Sequence, residues 1–178
     1  MTNLTRVPEL RPEEMTERQA ALKAKMAATF TGPVRGPFSL WLRNPDVGAQ
    51  ATEMVRLLRD KTTIARPIRE LAILMAAHHH GAPYPWAIHA PLARKAGLSE
   101  DVIAAIRDGR RPSFAAPDQA AAYDLLTEML DTGRIADATY AAAESALGRE
   151  ALIDLVSVGS FYCGLALFLN VFEVPAPE

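Results

Sequence analysis

Apolar residues recur at spacings of three and four positions along most of the chain, which is typical of helices with one buried face. The segments with this spacing span 12–30, 45–59, 66–80, 84–96, 99–108, 116–130, 137–147 and 149–172. A short apolar patch at 38–42 predicts a further short helix or an irregular clamp. No segment alternates polar and apolar residues between hairpin turns, so a sheet is not predicted. The pattern predicts an all-α domain, a single bundle of seven to eight helices.

Proline and glycine mark where these helices begin and end. Asn44 is suited to cap a helix whose first residue is Pro45, and Pro67 lies in the first turn of the next helix. Gly81 and Pro83 end that helix, and another begins at once. The centre of the chain is therefore predicted to be two consecutive helices joined by a tight connection.

The last segment, 149–172, is apolar nearly all round, which is typical of a helix packed on several sides. Its most apolar part, 155–171, is slightly shorter than a typical membrane-spanning helix and is interrupted by serines and glycines. We therefore predict a buried central helix and no membrane partner.

Composition places the chain among ordinary globular proteins. With 178 residues, of which 49% are hydrophobic and 22% charged, it is long enough to build one core without disulfide or metal staples. A net charge of -2 provides no basic field for phosphate backbones, so nucleic acid is not an expected partner. The single cysteine, Cys163, cannot form an internal disulfide, and no signal-peptide pattern opens the chain. Both observations favour a cytoplasmic location.

All four histidines lie in one short window, from the end of one predicted helix into the body of the next. His78, His79 and His80 are consecutive, so on a helix they point about 100° apart and cannot converge on one ion. Glu70, His79 or His80, and His89 are residue types that can bind zinc together. The alternative is that the triple lies at a helix C-terminus, where imidazolium groups complement free carbonyls. We do not predict a metal.

Glu70 and His89 each allow a structural and a functional interpretation. Glu70 follows Pro67 closely and is followed by five apolar residues, so it is either an early-turn acid favoured by the helix dipole or a carboxylate entering a buried helix. A buried carboxylate needs a partner and is suited to proton transfer. His89 has mostly apolar neighbours at helical spacing, which is also typical of a satisfied core histidine.

The order and spacing of several short motifs decide between these interpretations. The motifs are Arg69-Glu70-Leu-Ala-Ile-Leu, then Tyr84-Pro-Trp-Ala-Ile-His89, then Ala93-Arg-Lys-Ala-Gly-Leu-Ser99, and finally Gly159-Ser-Phe-Tyr-Cys-Gly-Leu-Ala-Leu-Phe-Leu-Asn170. Together they resemble the carboxymuconolactone decarboxylase family, and the resemblance covers roughly residues 35–174. It implies the alkylhydroperoxidase D-like helical fold. Glu70 and His89 match the family's glutamate and histidine, which makes them the predicted catalytic residues.

The resemblance also shows where this sequence departs from the peroxidase branch of the family. The two cysteines of the Cys-x-x-Cys pair fall on Ala82 and Pro85 here. Without them there is no thiolate to attack a peroxide and no second thiol to resolve the intermediate. Peroxidase chemistry by the family mechanism is therefore not expected.

The decarboxylase branch implies a cofactor-free lyase acting on a small carboxylated lactone or unsaturated ring-fission acid from aromatic catabolism. His89 then serves as general acid and base, tuned by Glu70. The predicted substrate-binding residues are His79, His80, Tyr84, Trp86 and Arg69, with Arg35 as a second candidate for binding a carboxylate. An isomerase or hydrolase on the same site, zinc-assisted hydrolysis, and a non-catalytic helical binding or assembly protein remain as alternatives.

The resemblance implies a division of the chain and an assembly. Residues 1–34 are predicted to be an N-terminal extension with an outer helix, and residues 35–178 the family domain. Family members form trimers or hexamers, so a homo-oligomer is expected. The apolar residues of the patch at 38–42 either serve such an interface or dock within the chain.

Overall fold

The computed structural model describes residues 6–30 and 32–177, which contain nine α-helices, one short 3-10 turn and no strand. The 3-10 turn is Pro12–Glu14, and the helices are α1 Glu17–Thr29, α2 Pro37–Trp41, α3 Pro45–Asp60, α4 Arg66–His79, α5 Pro83–Ala96, α6 Glu100–Arg107, α7 Pro117–Thr132, α8 Asp137–Leu147 and α9 Arg149–Val171. The all-α prediction is confirmed.

The first helix begins later than its periodicity predicts. Pro12–Glu14 forms only an isolated turn, because Met15 has an extended backbone that ends it. Thr16 then starts α1 with a capping box, in which its side chain accepts from the Gln19 backbone and the Gln19 side chain accepts from the Thr16 backbone. The prediction of one helix from residue 12 is therefore wrong at its beginning.

The start of α3 and the ends of α5 and α7 follow the local signals. The Asn44 side chain accepts a hydrogen bond from the Val47 backbone, and Pro45 is the first helical residue, as the sequence predicts. Gly97 and Gly133 end α5 and α7 in the left-handed conformation, which favours glycine. These boundaries depend on neighbouring residues alone, which is why sequence finds them.

Helix α4 lies at the centre of the fold and packs against α5, α7 and α9. Its residues from Ile68 to Ala77 are buried except Arg69. At its end the backbone N–H groups of Gly81 and Ala82 donate to the carbonyls of His78 and Ala77, so the chain reverses within a few residues. The predicted pair of helices with a tight connection is confirmed, and it forms an α4–α5 hairpin.

The short helix α2 docks within the chain. Leu40, Trp41 and Leu42 are buried in the same core as Leu22 of α1. Close approach of α2 to α3 requires Gly48, since a Cβ at that position would lie 2.4 Å from the Trp41 carbonyl oxygen. Of the two alternatives for the patch at 38–42, docking within the chain is the one observed for these residues. The division of the chain at residues 34 and 35 stays a prediction.

Helix α9 is only partly buried, unlike the central helix that its composition predicts. Among the described residues it is the one helix long and apolar enough to cross a membrane by length and composition, and 39% of its most apolar stretch is buried. One side packs against α4, α7 and α8 and buries Leu155, Val158 and Leu169. An apolar composition indicates that a helix is poorly suited to water, but it does not say which of its faces pack against the rest of the chain. The exposed face of α9 therefore could not be predicted from the sequence.

Candidate functional site

Glu70 and His89 face each other across the α4–α5 hairpin. The carboxylate oxygen Oε2 of Glu70 lies 2.8 Å from Nδ1 of His89, and the two side chains are 3% and 14% exposed. An ionised carboxylate has only acceptors, so Nδ1–H of His89 is the donor. Nε2 is then the ring nitrogen that remains to act on a ligand.

Arg69 supplies the charge beside this pair. Its Nη2 lies 3.5 Å from the second Glu70 oxygen, Oε1, and its Nη1 donates to the backbone carbonyl of Arg59 at the end of α3. The guanidinium is thus held between a helix C-terminus, which carries partial negative charge, and a buried carboxylate. Glu70 thus has a basic partner on each oxygen, Arg69 beside Oε1 and His89 beside Oε2, as a buried carboxylate requires.

The pair opens into a cavity of about 800 Å³ between the N-terminal segment and helices α3, α4, α5 and α9. Most of the lining is apolar, and the charged or titratable lining residues are Arg35, Arg59, Asp60, Arg66, Arg69, Glu70, Tyr84, His89 and Tyr162. Arg59 is paired with Asp60 and Arg69 with Glu70, whereas Arg35 and Arg66 form no ion pair with a described carboxylate. The cavity therefore carries surplus positive charge and suits an anionic ligand.

Two buried tyrosines stand at different sides of the cavity. Tyr84 lies under the N-terminal segment, where a Cβ added at Gly36 would be 2.2 Å from its ring, so the segment covers Tyr84 only because residue 36 is glycine. Burial raises the pKa of the Tyr84 phenol, and the nearby Arg35 guanidinium opposes that rise. Tyr162 packs edge-on against the His89 ring, with centroids 5.2 Å apart.

The structure brings together four of the predicted site residues, namely Glu70, His89, Tyr84 and Arg69, and adds the second carboxylate candidate, Arg35. His79, His80 and Trp86 do not line this cavity. His79 lies nine positions after Glu70, so on α4 they are about 14 Å apart along the axis. The hairpin explains the difference: residues far from its turn meet at the open end, and the histidine triple lies at the turn.

The remaining predicted residues have structural surroundings of their own. His79 lines a separate depression of about 330 Å³, with Nδ1 4.0 Å from Asp131. His80 packs against His79, its backbone carbonyl accepts from Asn170, and burial lowers the pKa of its imidazole. Trp86 contacts His78 and the Arg107 guanidinium.

The zinc alternative requires side chains that the fold separates. Within residues 6–30 and 32–177, no group of three or more histidine, cysteine, aspartate or glutamate side chains lies close enough to hold a metal ion. Glu70 and His89 form one pair, while His79 and His80 lie at the far end of α4. The histidine triple therefore matches the interpretation as a helix C-terminus.

Sequence reasoning missed four charged or titratable residues that line the cavity: Arg59, its ion-pair partner Asp60, Arg66 and Tyr162. Arg66 had a usable signal, since it precedes Glu70 by four positions and therefore shares its helix face. Arg59 ends a different helix, and Tyr162 lies on the apolar helix α9, so neither has a local signal. Only the packing of α3 and α9 against α4 brings them to the site.

This arrangement can hold a small anion and exchange a proton with it. Arginine side chains are suited to bind carboxylates, and the free Nε2 of His89 can take or give a proton. Glu70 fixes the tautomer and the orientation of the His89 ring through the contact at Nδ1, as a buried carboxylate does for other catalytic histidines.

Comparison with known proteins agrees with this fold. Residues 45–128 match the model of the carboxymuconolactone decarboxylase family. Two solved structures share the fold. One is an alkylhydroperoxidase AhpD core, an uncharacterized peroxidase-related protein from Ralstonia eutropha JMP134, which is 14% identical with a TM-score of 0.80 over 97% of this chain and 92% of its own.

The other is an uncharacterized peroxidase-related protein from Silicibacter sp. TM1040, which is 13% identical with a TM-score of 0.81 over 99% of this chain and 93% of its own. At these identities the structures establish the fold alone. A search of curated proteins gave no significant match. The family match includes Glu70 and His89, and the resemblance expected from the motifs is confirmed. Residues 45–128 thus match the carboxymuconolactone decarboxylase family, and the chain has the alkylhydroperoxidase D-like fold.

Proposed function

We propose that this chain is a cofactor-independent carboxy-lyase that acts on a small carboxylated lactone or a related unsaturated ring-fission acid. The observation that carries the proposal is the buried Glu70–His89 pair at the edge of a cavity with surplus arginine charge. In such a reaction the bond to the carboxylate breaks, carbon dioxide leaves, and the electron pair moves into the conjugated lactone carbonyl. Protonated His89 then returns a proton to carbon and is reprotonated from solvent.

The surroundings of His89 and Glu70 favour an enzyme over a non-catalytic binding protein whose active site has lost its function. A non-catalytic binding protein that had lost this function would be expected to enclose His89 in a wholly apolar space and to leave Glu70 exposed. Here Glu70 is 2% exposed, and it is paired with both His89 and Arg69. Keeping a charged pair buried beside an open cavity costs stability, which a mere binding scaffold has no reason to retain.

The proposal does not extend to thiol peroxidase chemistry, despite the names of the two structural neighbours. Ala82 and Pro85 stand where the resemblance places the cysteine pair, and both are buried at the start of α5. The remaining thiol, Cys163, lies outside the cavity lining, and burial raises its pKa. A thiol held in its protonated form is a poor nucleophile toward peroxide.

The experiment is product analysis of 4-carboxymuconolactone and related ring-fission acids by chromatography and ultraviolet spectroscopy, with and without a chelator. We expect decarboxylation by the wild type, and a loss of about 10²–10⁴-fold in His89→Ala because the proton donor is removed. His78→Ala is the matched control, since His78 is exposed and lies outside the cavity.

Other products would redirect the proposal. A product of unchanged mass would favour the isomerase, and addition of water without loss of carbon dioxide would favour the hydrolase; chelator-sensitive hydrolysis would favour the zinc alternative. Folded wild-type protein that leaves every acid intact would refute the lyase proposal and favour the binding protein.

A further inference from the structure

Tyr162 reaches the cavity from α9, on a different helix from the Glu70–His89 pair. Its side chain is 8% exposed, and its ring meets the His89 ring at an interplanar angle of 84°. Tyr162 therefore lines the cavity and contacts the imidazole ring directly. His89 and Tyr162 thus line the same cavity side by side.

The Tyr162 hydroxyl has no hydrogen-bond partner among residues 6–30 and 32–177. Buried tyrosines usually find one, because an unpaired buried hydroxyl is costly. Within that part of the chain, the one side-chain polar atom both sealed from solvent and without a partner is Oγ1 of Thr127, so the Tyr162 hydroxyl is not sealed. Since the residue itself is buried and lines the cavity, its free hydroxyl opens to the space that a ligand would occupy.

The surroundings of Tyr162 keep this hydroxyl neutral. Burial raises the pKa of the phenol, and the negative charge of Glu70 raises it further, while the arginines of the cavity oppose the rise only partly. A neutral phenol is a hydrogen-bond donor, whereas a phenolate would only accept. A donor held in place in the cavity wall is effective because it needs no reorganisation when charge develops nearby.

We propose that Tyr162 is a further catalytic residue, which donates a hydrogen bond to the oxyanion that forms on the substrate carbonyl. This inference rests on the proposed function. When carbon dioxide leaves, the electron pair of the broken bond reaches the carbonyl oxygen and makes it an enolate. Tyr162 keeps its proton and stabilises that oxygen, while the proton returned to carbon comes from His89. Two different groups thus serve the two ends of the conjugated system.

Tyr84 does not offer the same donor. A Cβ at Gly36 would lie 2.3 Å from the Tyr84 hydroxyl oxygen, so this hydroxyl faces the covering segment, with Arg35 nearby. It has no ring contact with His89, whereas Tyr162 has one. The donor role therefore belongs to the tyrosine on α9.

The test uses the tetronate anion, a five-membered lactone enolate that resembles the charged intermediate. Its binding is measured by calorimetry to the wild type, to Tyr162→Phe and to Tyr140→Phe. The last variant removes an exposed phenol on α8 and is the matched control. We expect Tyr162→Phe to weaken tetronate binding at least about tenfold, since a hydrogen bond to a charged group is lost, and the control to bind as the wild type does.

Phenylalanine keeps the ring and its contact with His89, so the variant separates the hydroxyl from its packing. If Tyr162 were only structural, Tyr162→Phe would lower the melting temperature and leave tetronate affinity unchanged. Equal affinities, or no binding of tetronate by the wild type at millimolar concentration, would overturn the inference.

Kinetics separate this inference from the proposed function. Where the wild type decarboxylates a lactone, Tyr162→Phe should lower kcat by about 10²–10³-fold with little change in KM, because the interaction exists only once charge has developed. Normal turnover by the variant would refute the role of Tyr162 and leave the lyase standing. Tyr162-dependent tetronate binding without any turnover would refute the lyase and leave the oxyanion site.

Discussion

At the scale of single residues, Glu70 is expected to contribute strongly to the stability of the folded protein. Glu70 is almost fully buried and serves both His89 and Arg69, so truncating it leaves two cationic or polar groups without their partner. We expect Glu70→Ala to lower the free energy of unfolding by about 3 kcal/mol in urea denaturation, as for other broken buried pairs. Glu70→Gln retains an acceptor for the His89 N–H and should cost less.

The control for this measurement is Glu100→Ala, which breaks an exposed ion pair with Arg94 and should leave the free energy of unfolding nearly unchanged. If Glu70→Ala were no more destabilising than Glu100→Ala, Glu70 would not be the buried ionic partner of His89 and Arg69.

The two buried tyrosines, Tyr84 and Tyr162, are expected to make the protein less stable at alkaline pH. The pKa values of Tyr84 and Tyr162 are both raised, mainly by burial. Below about pH 10 the folded and unfolded states are both protonated at these groups, so they add no pH dependence. Above that pH the unfolded chain loses the protons first, which favours unfolding.

The free energy of unfolding should therefore fall as pH rises above about 10, and Tyr162→Phe should reduce this slope by up to about 1.4 kcal/mol per pH unit. Urea denaturation between pH 9 and pH 11.5 measures the slope, with Tyr140→Phe as the control. An identical slope in the wild type and in Tyr162→Phe would show that Tyr162 ionises alike in both states.

At the scale of helices, the contact between α2 and α3 depends on one glycine. A Cβ on residue 48 would lie 2.4 Å from a backbone oxygen of Trp41, which cannot move aside as a flexible side chain can. Although alanine is the better helix former, we expect Gly48→Ala to lower the free energy of unfolding by about 1–3 kcal/mol. Urea denaturation of Gly48→Ala against Gln50→Ala, an exposed position on the same helix, measures the effect.

Phe38 of α2 lines the cavity, so a shift of α2 caused by Gly48→Ala should also disturb ligand binding. A variant as stable as Gln50→Ala would mean that α2 and α3 can separate at little cost.

At the scale of the whole molecule, α9 presents an exposed stripe with alternating spacings of four and three residues. The stripe consists of Ile153, Ser157, Ser160, Gly164, Leu167 and Val171. This spacing is typical of a helix that packs along another helix, and the small residues at its centre allow close approach. The stripe is uncharged, and it has large side chains at both ends and small residues in the middle. Because this order is the same from either end, we expect an antiparallel second copy of α9 as its partner.

We expect the wild type to self-associate in analytical ultracentrifugation and Leu167→Glu to shift it toward the monomer, because a charge would be buried at the contact. Tyr140→Glu, which replaces another exposed apolar residue on α8, should leave the assembly unchanged. A wild type that stays monomeric at micromolar concentrations would contradict the expected homo-oligomer.

The sequence by itself determined the helices, most of their ends and the two residues of the central pair. Helical periodicity and caps act over a few positions, so Asn44, Gly97 and the tight turn at Gly81 can be found from neighbours alone. Glu70 and His89 were found through the resemblance, and their contact follows from a hairpin whose turn lies between them.

Only the tertiary structure decided which other side chains share the cavity. Arg59 and Tyr162 come from helices distant in sequence, and no local pattern specifies where α3 and α9 cross α4. The histidine triple, by contrast, is conspicuous in the sequence and yet lies at the far end of α4. The physical reason is that helix formation depends on local hydrogen bonds and spacing, whereas a site depends on the register in which separate helices bury their apolar faces.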